Sequence, residues 1–175
     1  MIIVDSREKK WEHIRDYFDR NGIPYDFPHK LDEGDYLNTE NPSVVVDRKA
    51  NLQEICGNLS KGNGNIVRFV KECKRAHDRH MRFVVLIEGT SVQNVRDLKG
   101  WKSEYGRFTG QWLAEKMFNL TVSYDVEWVF CKRNKTAEKI LEIVGYTKHG
   151  NNEAGLQDNK CSDGANHDND GGFAS

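Results

Sequence analysis

Two hydrophobic periods alternate along residues 1–149 of the chain. Short apolar runs typical of β-strands occupy residues 1–5, 24–29, 35–39, 43–49, 82–88 and 125–131. The 3.6-residue period of amphipathic helices occupies residues 8–20, 51–59, 65–79 and 135–146, and Thr109 is a candidate N-cap for one more helix. Strands that alternate with helices favour an α/β fold, in which helices flank a central mixed β-sheet on both faces.

The C-terminal residues depart from this pattern. Residues 150–175 are rich in Asn, Asp and Gly, and they contain five acids and one base. So few apolar residues cannot offset the entropy of ordering the chain, which predicts a disordered acidic tail. Residues 1–149 then form one domain with 25 bases and 22 acids, a net charge of +3. This mild excess permits a nucleic-acid partner without demanding one.

Several classes of protein are excluded by composition. No apolar run approaches the ~18 residues of a membrane-spanning helix. The N-terminus lacks the basic region and apolar core of a signal peptide, so we expect a cytoplasmic protein with no membrane partner. The four cysteines show no zinc-binding spacing, and Cys56, Cys73 and Cys131 fall in apolar segments that predict buried thiols.

The hairpin predicted over residues 35–49 carries candidate chemistry. Asn41-Pro42 is a turn signal. A hairpin symmetric about Asn41 pairs positions whose numbers sum to 82, so Asp35 faces Asp47. Directly opposed residues have Cβ atoms ~4.5–5.5 Å apart. Because side chains alternate along a strand, Lys49 lies on the same face as Asp47, and three charged groups converge.

Opposed carboxylates destabilise a hairpin unless something compensates them. The apolar run at residues 44–46 predicts a buried strand, in which Asp47 must be paired or bound. Mg²⁺ takes one or two carboxylates and completes its shell with water and phosphate oxygens. Such a metal, with Mn²⁺ as an alternative, favours metal-assisted phosphodiester hydrolysis. The competing interpretation is structural: Asp35 caps a turn, and Asp47 pairs with Arg48 or Lys49 on an exposed strand.

Three motifs resemble those of the XPF-type (ERCC4-domain) structure-specific endonucleases, a branch of the PD-(D/E)xK restriction-like nucleases. They are VDSRE with Asp5, Arg7 and Glu8, then GDY with Asp35, then VVVDRK with Asp47, Arg48 and Lys49. The strand VVLIEG, which ends at Glu88, is also similar to the family. In element order the resemblance covers residues 1–146, and it implies a restriction-endonuclease-like fold.

The resemblance implies a metal-dependent DNA endonuclease that acts on branched or flapped DNA in repair or recombination. It makes Asp35 and Asp47 metal ligands and Lys49 the catalytic lysine, with Asp5 near enough to assist the metal or the water. The remaining motif residues, Arg7, Glu8 and Arg48, would either contact phosphate or form structural salt bridges.

The chain departs from the family pattern at three points. Asp47 stands where the family usually has Glu. The last acid of the family falls on Gln53, so either Glu54 replaces it or that acid is missing. The cellular members usually carry a C-terminal tandem helix-hairpin-helix domain, whereas compact relatives resemble bacterial or phage proteins. We therefore expect a homodimer or a separate DNA-targeting protein.

Two polar segments are candidate DNA contacts. The loop that begins at Lys61 precedes a helix N-terminus, and the helix carries Arg68, Lys71 and Arg75. The segment KGWKSEYGR offers Trp101 and Tyr105 for stacking on unpaired bases. Both segments have structural alternatives: a helix that presents a solvated face, and aromatic rings that pack under the loop.

Two other functions are compatible with the sequence. One is a non-catalytic DNA-binding module on the same fold, and the other is a protein-interaction domain whose acids are structural.

Overall fold

The structure, a computed structural model, describes residues 1–27, 30–60, 64–104 and 106–148. The predicted tail, together with Lys61 and Tyr105, lies outside these ranges. The DNA-contact prediction for Lys61, the stacking prediction for Tyr105 and the domain boundary at residue 149 therefore stay predictions.

A six-stranded mixed sheet forms the centre of the fold, in the order β2-β1-β3-β4-β5-β6. The strands are β1 (Ile2–Val4), β2 (Tyr25–Asp26), β3 (Tyr36–Asn38), β4 (Asn41–Lys49), β5 (Arg82–Ile87) and β6 (Glu127–Phe130). β3 pairs antiparallel with β1 and β4, whereas β4, β5 and β6 run parallel. The predicted α/β fold with a mixed sheet is confirmed.

Helices cover both faces of this sheet. They are α1 (Glu12–Asn21), α2 (Leu52–Leu59), α3 (Asn65–Asp78), α4 (Gly110–Tyr124) and α5 (Thr136–Ile143), with short 3₁₀ helices at Val95–Gly100 and Arg133–Lys135. One apolar cluster lies between the sheet and α1 and α5, and includes Phe18 and Ile140. The other lies under α2, α3 and α4, and includes Ile55, Phe69 and Met117. In β4 and β5, the buried apolar residues with even numbers belong to the first cluster and those with odd numbers to the second.

Local signals set most helix ends. The Thr109 hydroxyl accepts a hydrogen bond from the Trp112 amide, which confirms the predicted N-cap. α1 ends where Gly22 adopts the left-handed conformation (φ 62°). However, α1 begins at Glu12 rather than at residue 8. The segment before it is not helical, because its Glu8 side chain contacts Arg48 and Lys10 takes a positive φ of 56°.

The hairpin keeps the predicted register but not the predicted turn. Tyr36 pairs with Val46, so these paired numbers sum to 82 as expected. The chain instead turns at residues 39–40, and Asn38 pairs with Asn41. A bulge absorbs the extra residues of β4, where proline has no amide proton for the ladder.

The predicted burial of three cysteine thiols is confirmed. Cys56, Cys73 and Cys131 are buried and form no disulfide. Across the described ranges, no helix is long and apolar enough to cross a membrane.

Candidate active site

Strand alternation divides the charged end of β4 between the two faces of the sheet. Asp47 and Lys49 share the face of Val45, under α2, α3 and α4. Arg48 shares the opposite face with Val46, under α1 and α5. The three charged side chains are all buried, so each requires a partner.

Asp47 and Lys49 form a close ion pair. The Lys49 Nζ atom lies 2.8 Å from Oδ1 and 2.6 Å from Oδ2 of Asp47. Only Oδ1 accepts a well-directed hydrogen bond; Oδ2 is buried without one among the described residues. Burial lowers the pKa of Lys49, but the charges of Asp47 and Asp35 outweigh it and raise that pKa above its usual value. Lys49 is therefore a fixed ammonium ion, and its Nζ lies 5.3 Å from the centre of the Phe69 ring.

Asp35 lies on the adjacent strand edge, next to this pair. Its amide donates to the Val46 carbonyl (2.7 Å), and its Oδ2 accepts from the Arg48 amide (2.8 Å). Burial raises the pKa of Asp35 well above its usual value, and the charge of Asp47 raises it further. The structure therefore brings Asp35, Asp47 and Lys49 together, as the sequence predicts.

Gly34 fixes the backbone that presents Asp35. It adopts a positive φ of 64°, and a Cβ atom there would lie 2.5 Å from Val45 Cγ2 and 2.9 Å from the Val46 carbonyl oxygen. Glycine is required by both conformation and space. This requirement explains the glycine of the GDY motif in physical terms.

A further acid, Glu72, joins the site from α3. Its Oε1 accepts a hydrogen bond from the Gly34 amide (2.9 Å). Burial raises the pKa of Glu72, and the nearby Asp47 raises it further. Sequence reasoning missed this residue, although an acid between the inward-facing Phe69 and Ala76 on a helix was an available signal.

The chemistry of this group fits a divalent cation. The charge of Asp47 raises the pKa of Asp35, and Asp47 Oδ2 is a buried oxygen without a hydrogen bond among the described residues. Within the described part of the chain, no three His, Cys, Asp or Glu side chains form a metal-binding cluster. Mg²⁺ needs no such cluster, because it binds through one or two carboxylates and fills its shell with water and substrate phosphate.

Asp5 is held by its own motif. Its carboxylate accepts hydrogen bonds from the Arg7 amide (2.7 Å), from the Arg7 guanidinium (2.9 and 2.7 Å) and from the Leu31 amide (2.8 Å). Burial opposes ionisation, but these donors outweigh it and lower the pKa of Asp5 below its usual value. Asp5 positions Arg7, whose half-exposed guanidinium feels the charges of Glu72 and Asp35.

Arg48 is the centre of a buried ion network on the other face. It contacts Glu8 (2.5 Å), Glu88 (2.6 Å) and the Lys9 carbonyl (2.8 Å). Glu88 also accepts a hydrogen bond from Thr136 (2.7 Å), and His13 Nε2 lies 2.8 Å from it. Of the two alternatives for Glu8 and Arg48, the structure therefore shows salt bridges.

Glu54 binds the backbone just before α2, next to the candidate site. Its Oε2 accepts from the Ala50 amide (2.8 Å), while its own amide donates to Asn51 (2.9 Å). Its charge contributes to the raised pKa of Lys49. Gln53 points elsewhere and accepts from the Glu104 amide (2.9 Å).

The predicted DNA contacts on α3 differ in their surroundings. Arg68 and Lys71 are exposed and form no ion pair with any described residue. Arg75 instead contacts Glu33 (3.1 Å) and the Asp32 carbonyl (2.9 Å), which reduces its availability to phosphate.

A mixed sheet flanked by helices is a restriction-endonuclease-like fold, and the acids and the lysine lie on one hairpin of it. Residues 4–143 match the family model of the ERCC4 domain, so the chain belongs to that family, whose members are nucleases that generally depend on divalent metals.

Two solved structures share this fold. The structure of XPF from Aeropyrum pernix superimposes with a TM-score of 0.60 at 19% identity, and that of XPF from Aeropyrum pernix in complex with DNA with a TM-score of 0.59 at 20% identity. Each match covers 82% of this chain and 62% of the other. No curated protein matches the chain.

Proposed function

We propose that this chain is a Mg²⁺-dependent endodeoxyribonuclease that hydrolyses phosphodiester bonds in branched or flapped DNA. The observation that carries the proposal is the buried Asp47–Lys49 pair beside Asp35, with one Asp47 oxygen free of hydrogen bonds. Membership of a nuclease family supports the reaction, and the relative in complex with DNA supports DNA as the partner.

Asp35 and Asp47 are the proposed metal ligands. Bound there, Mg²⁺ or Mn²⁺ lowers the pKa of a water molecule and neutralises charge on the phosphate. The two aspartates offer negative oxygens at the buried end of β4. The charge of Asp47 still raises the pKa of Asp35 although Lys49 lies beside both, which supports a site for a further cation over a purely structural contact.

Lys49 acts by its charge. Because its pKa is raised, Lys49 keeps its proton at neutral pH, so it orients the attacking water or stabilises the phosphate rather than removing a proton. Phe69 and Asp47 hold the ammonium in place.

The cationic rim is the proposed path of the DNA backbone. Arg7 is fixed by Asp5 at the edge of the site, and Arg68 and Lys71 are exposed on α3. These groups supply the sequence-independent phosphate contacts that a nuclease needs. The chain spans about 62% of the length of its solved relatives. A homodimer or a separate DNA-targeting protein is part of the proposal.

Cleavage of a labelled substrate panel tests the proposal. Duplex, single strand, splayed arm, flap and four-way junction are incubated with Mg²⁺, Mn²⁺ or EDTA. The wild-type protein is compared with Asp47→Ala and with Glu115→Ala, a control that removes an exposed acid of α4.

We expect metal-dependent cutting of the branched substrates by the wild-type and Glu115→Ala proteins, and none by Asp47→Ala. Binding without cutting under every metal would contradict a nuclease and favour a non-catalytic DNA-binding module. Neither cutting nor binding would favour a protein-interaction domain.

A further inference from the structure

A polar groove lies at the carboxyl ends of β4 and β5. Its volume is about 510 Å³. Three segments line it: the start of α2, the loop after β5 and the loop before α4. The lining residues are Asn51–Gln53, Gly89–Ser91, Trp101, Lys102 and Glu104.

The groove opens beside the proposed catalytic residues. Its first lining residue, Asn51, follows Lys49 by two positions on the chain. The Glu88 amide donates to the Lys49 carbonyl (2.9 Å), so the loop after β5 starts at the same place. The groove therefore begins at the carboxyl end of the strand that carries the Asp47–Lys49 pair.

The wall that carries Trp101 is rigidly built. The Trp101 amide donates to the Leu98 carbonyl (2.8 Å), and the Trp101 carbonyl accepts from the Gly110 amide (2.7 Å). Lys102 and Thr109 close the loop with a β-bridge. The Trp101 backbone is thus fixed, and its partly buried side chain packs against the apolar cluster under α2, α3 and α4 while it lines the groove. A wall that is fixed in advance lowers the entropy cost of binding.

The polar groups of the groove suit a nucleotide. Gln53 accepts from the Glu104 amide through its oxygen, which leaves its NH₂ group to donate. Lys102 and Glu104 are exposed and form no ion pair with the residues that the structure describes. The groove therefore offers donors and an acceptor for a base edge, an aromatic side chain for a base face and a cation for a phosphate.

We propose that this groove binds one unpaired nucleotide of the DNA next to the scissile phosphate. The inference rests on the proposed nuclease function, and it names the feature that the enzyme recognises. A volume of about 510 Å³ is within the range of small-molecule sites and accommodates one nucleotide.

Binding in EDTA tests the proposal apart from cleavage. The affinity of the wild-type protein is measured for a continuous duplex, a splayed arm, and splayed arms with an abasic site at each of the first three unpaired positions. The same substrates are bound to Trp101→Leu, which keeps apolar bulk without a ring, and to Trp101→Phe, which keeps a ring. Melting temperatures confirm that each variant is folded.

We expect Trp101→Leu to weaken binding of the splayed arm by about 5- to 100-fold, with duplex binding unchanged and a smaller loss for Trp101→Phe. One abasic position should reproduce that loss in the wild-type protein and add nothing to Trp101→Leu. Equal affinity for every abasic substrate would overturn the proposal, and so would a loss shared by the duplex. Because cleavage is not measured, this failure is distinct from failure of the nuclease, which the substrate panel detects.

Discussion

Lys49 illustrates how much chemistry a two-residue spacing on a strand can specify. Its ammonium lies on the same face as Asp47 because side chains alternate, and this much could be predicted from the sequence. The sequence could not show that Phe69 of α3 packs beneath the ammonium, because that contact depends on how the helix docks. Burial lowers the pKa of Lys49, but the charges of Asp47 and Asp35 outweigh it and raise that pKa.

Asp5 is a second residue that the sequence identified as part of the site without predicting its contacts. The sequence placed it at the end of β1, near the metal. The structure shows its oxygens taken by Arg7 and by the Leu31 amide, a residue 26 positions away. A partner so distant in sequence leaves no local signal.

The pH dependence of stability tests the role of Asp5. Its pKa is lowered in the folded protein, so its charged contacts stabilise the fold above the unfolded pKa and are lost as pH falls through the folded pKa. We expect Asp5→Asn to reduce the free energy of unfolding by about 2 kcal/mol at pH 7, measured by urea denaturation.

The difference between the two proteins should shrink as the pH falls below about 4. The control is Asp16→Asn, since Asp16 is an exposed acid of α1. A difference that stays constant from pH 7 to pH 3 would contradict a charged Asp5.

At the scale of elements, the junction between the 3₁₀ helix Val95–Gly100 and α4 leaves no room for a side chain at Gly110. A Cβ atom on Gly110 would lie 1.5 Å from the Leu98 carbonyl oxygen, although the backbone there is ordinary. The need for glycine is therefore steric, and it arises from the approach of two elements.

Gly110→Ala should destabilise the protein strongly. We expect a loss of more than about 3 kcal/mol, because the α4 N-terminus must move away from the Leu98 carbonyl. Gly57→Ala is the matched control, since Gly57 lies inside α2 with no atom within 4 Å of the added Cβ. It should gain up to about 1 kcal/mol. Similar unfolding midpoints for the two variants would show that the junction is looser than the structure has it.

Element boundaries show where sequence patterns succeed and fail. The helices with strong caps, such as those begun by Asn51 and Thr109, start where the sequence predicts. The predicted start of α1 was wrong by a few residues, because Glu8 contacts Arg48 instead of joining the helix. The predicted position of the hairpin turn was also wrong, because Asn38 contacts the Val144 carbonyl. Tertiary contacts override local propensity at such positions.

At the scale of the whole molecule, the two faces of the sheet have different roles in the candidate site. One face carries Asp47 and Lys49, and the other anchors the same strand through Arg48 and Glu88. Hydrophobic alternation in the strands predicted two layers, but it could not predict the ion network between elements far apart in the chain. Glu72 and Glu88 are the acids that sequence reasoning left out of the site.

The salt dependence of DNA binding tests the cationic rim. Replacing Arg68 and Lys71 together by glutamine should weaken binding of every DNA equally and reduce the slope of log K against log [salt] by about 1.5 to 2. The control Lys74→Gln removes a cation that is already paired with Asp78 and should change the slope less. An unchanged slope in the double variant would place the DNA elsewhere.

The proposed metal ion at Asp35 and Asp47 can be detected through the melting temperature of the protein as Mg²⁺ or Mn²⁺ is added. A cation that binds only the folded state stabilises it by about 2.7 kcal/mol at 100 times its Kd. We predict a rise for the wild-type protein that disappears in Asp35→Asn and in Asp47→Asn. A rise of the same size in all three proteins, or none in the wild type, would contradict a metal site on this hairpin.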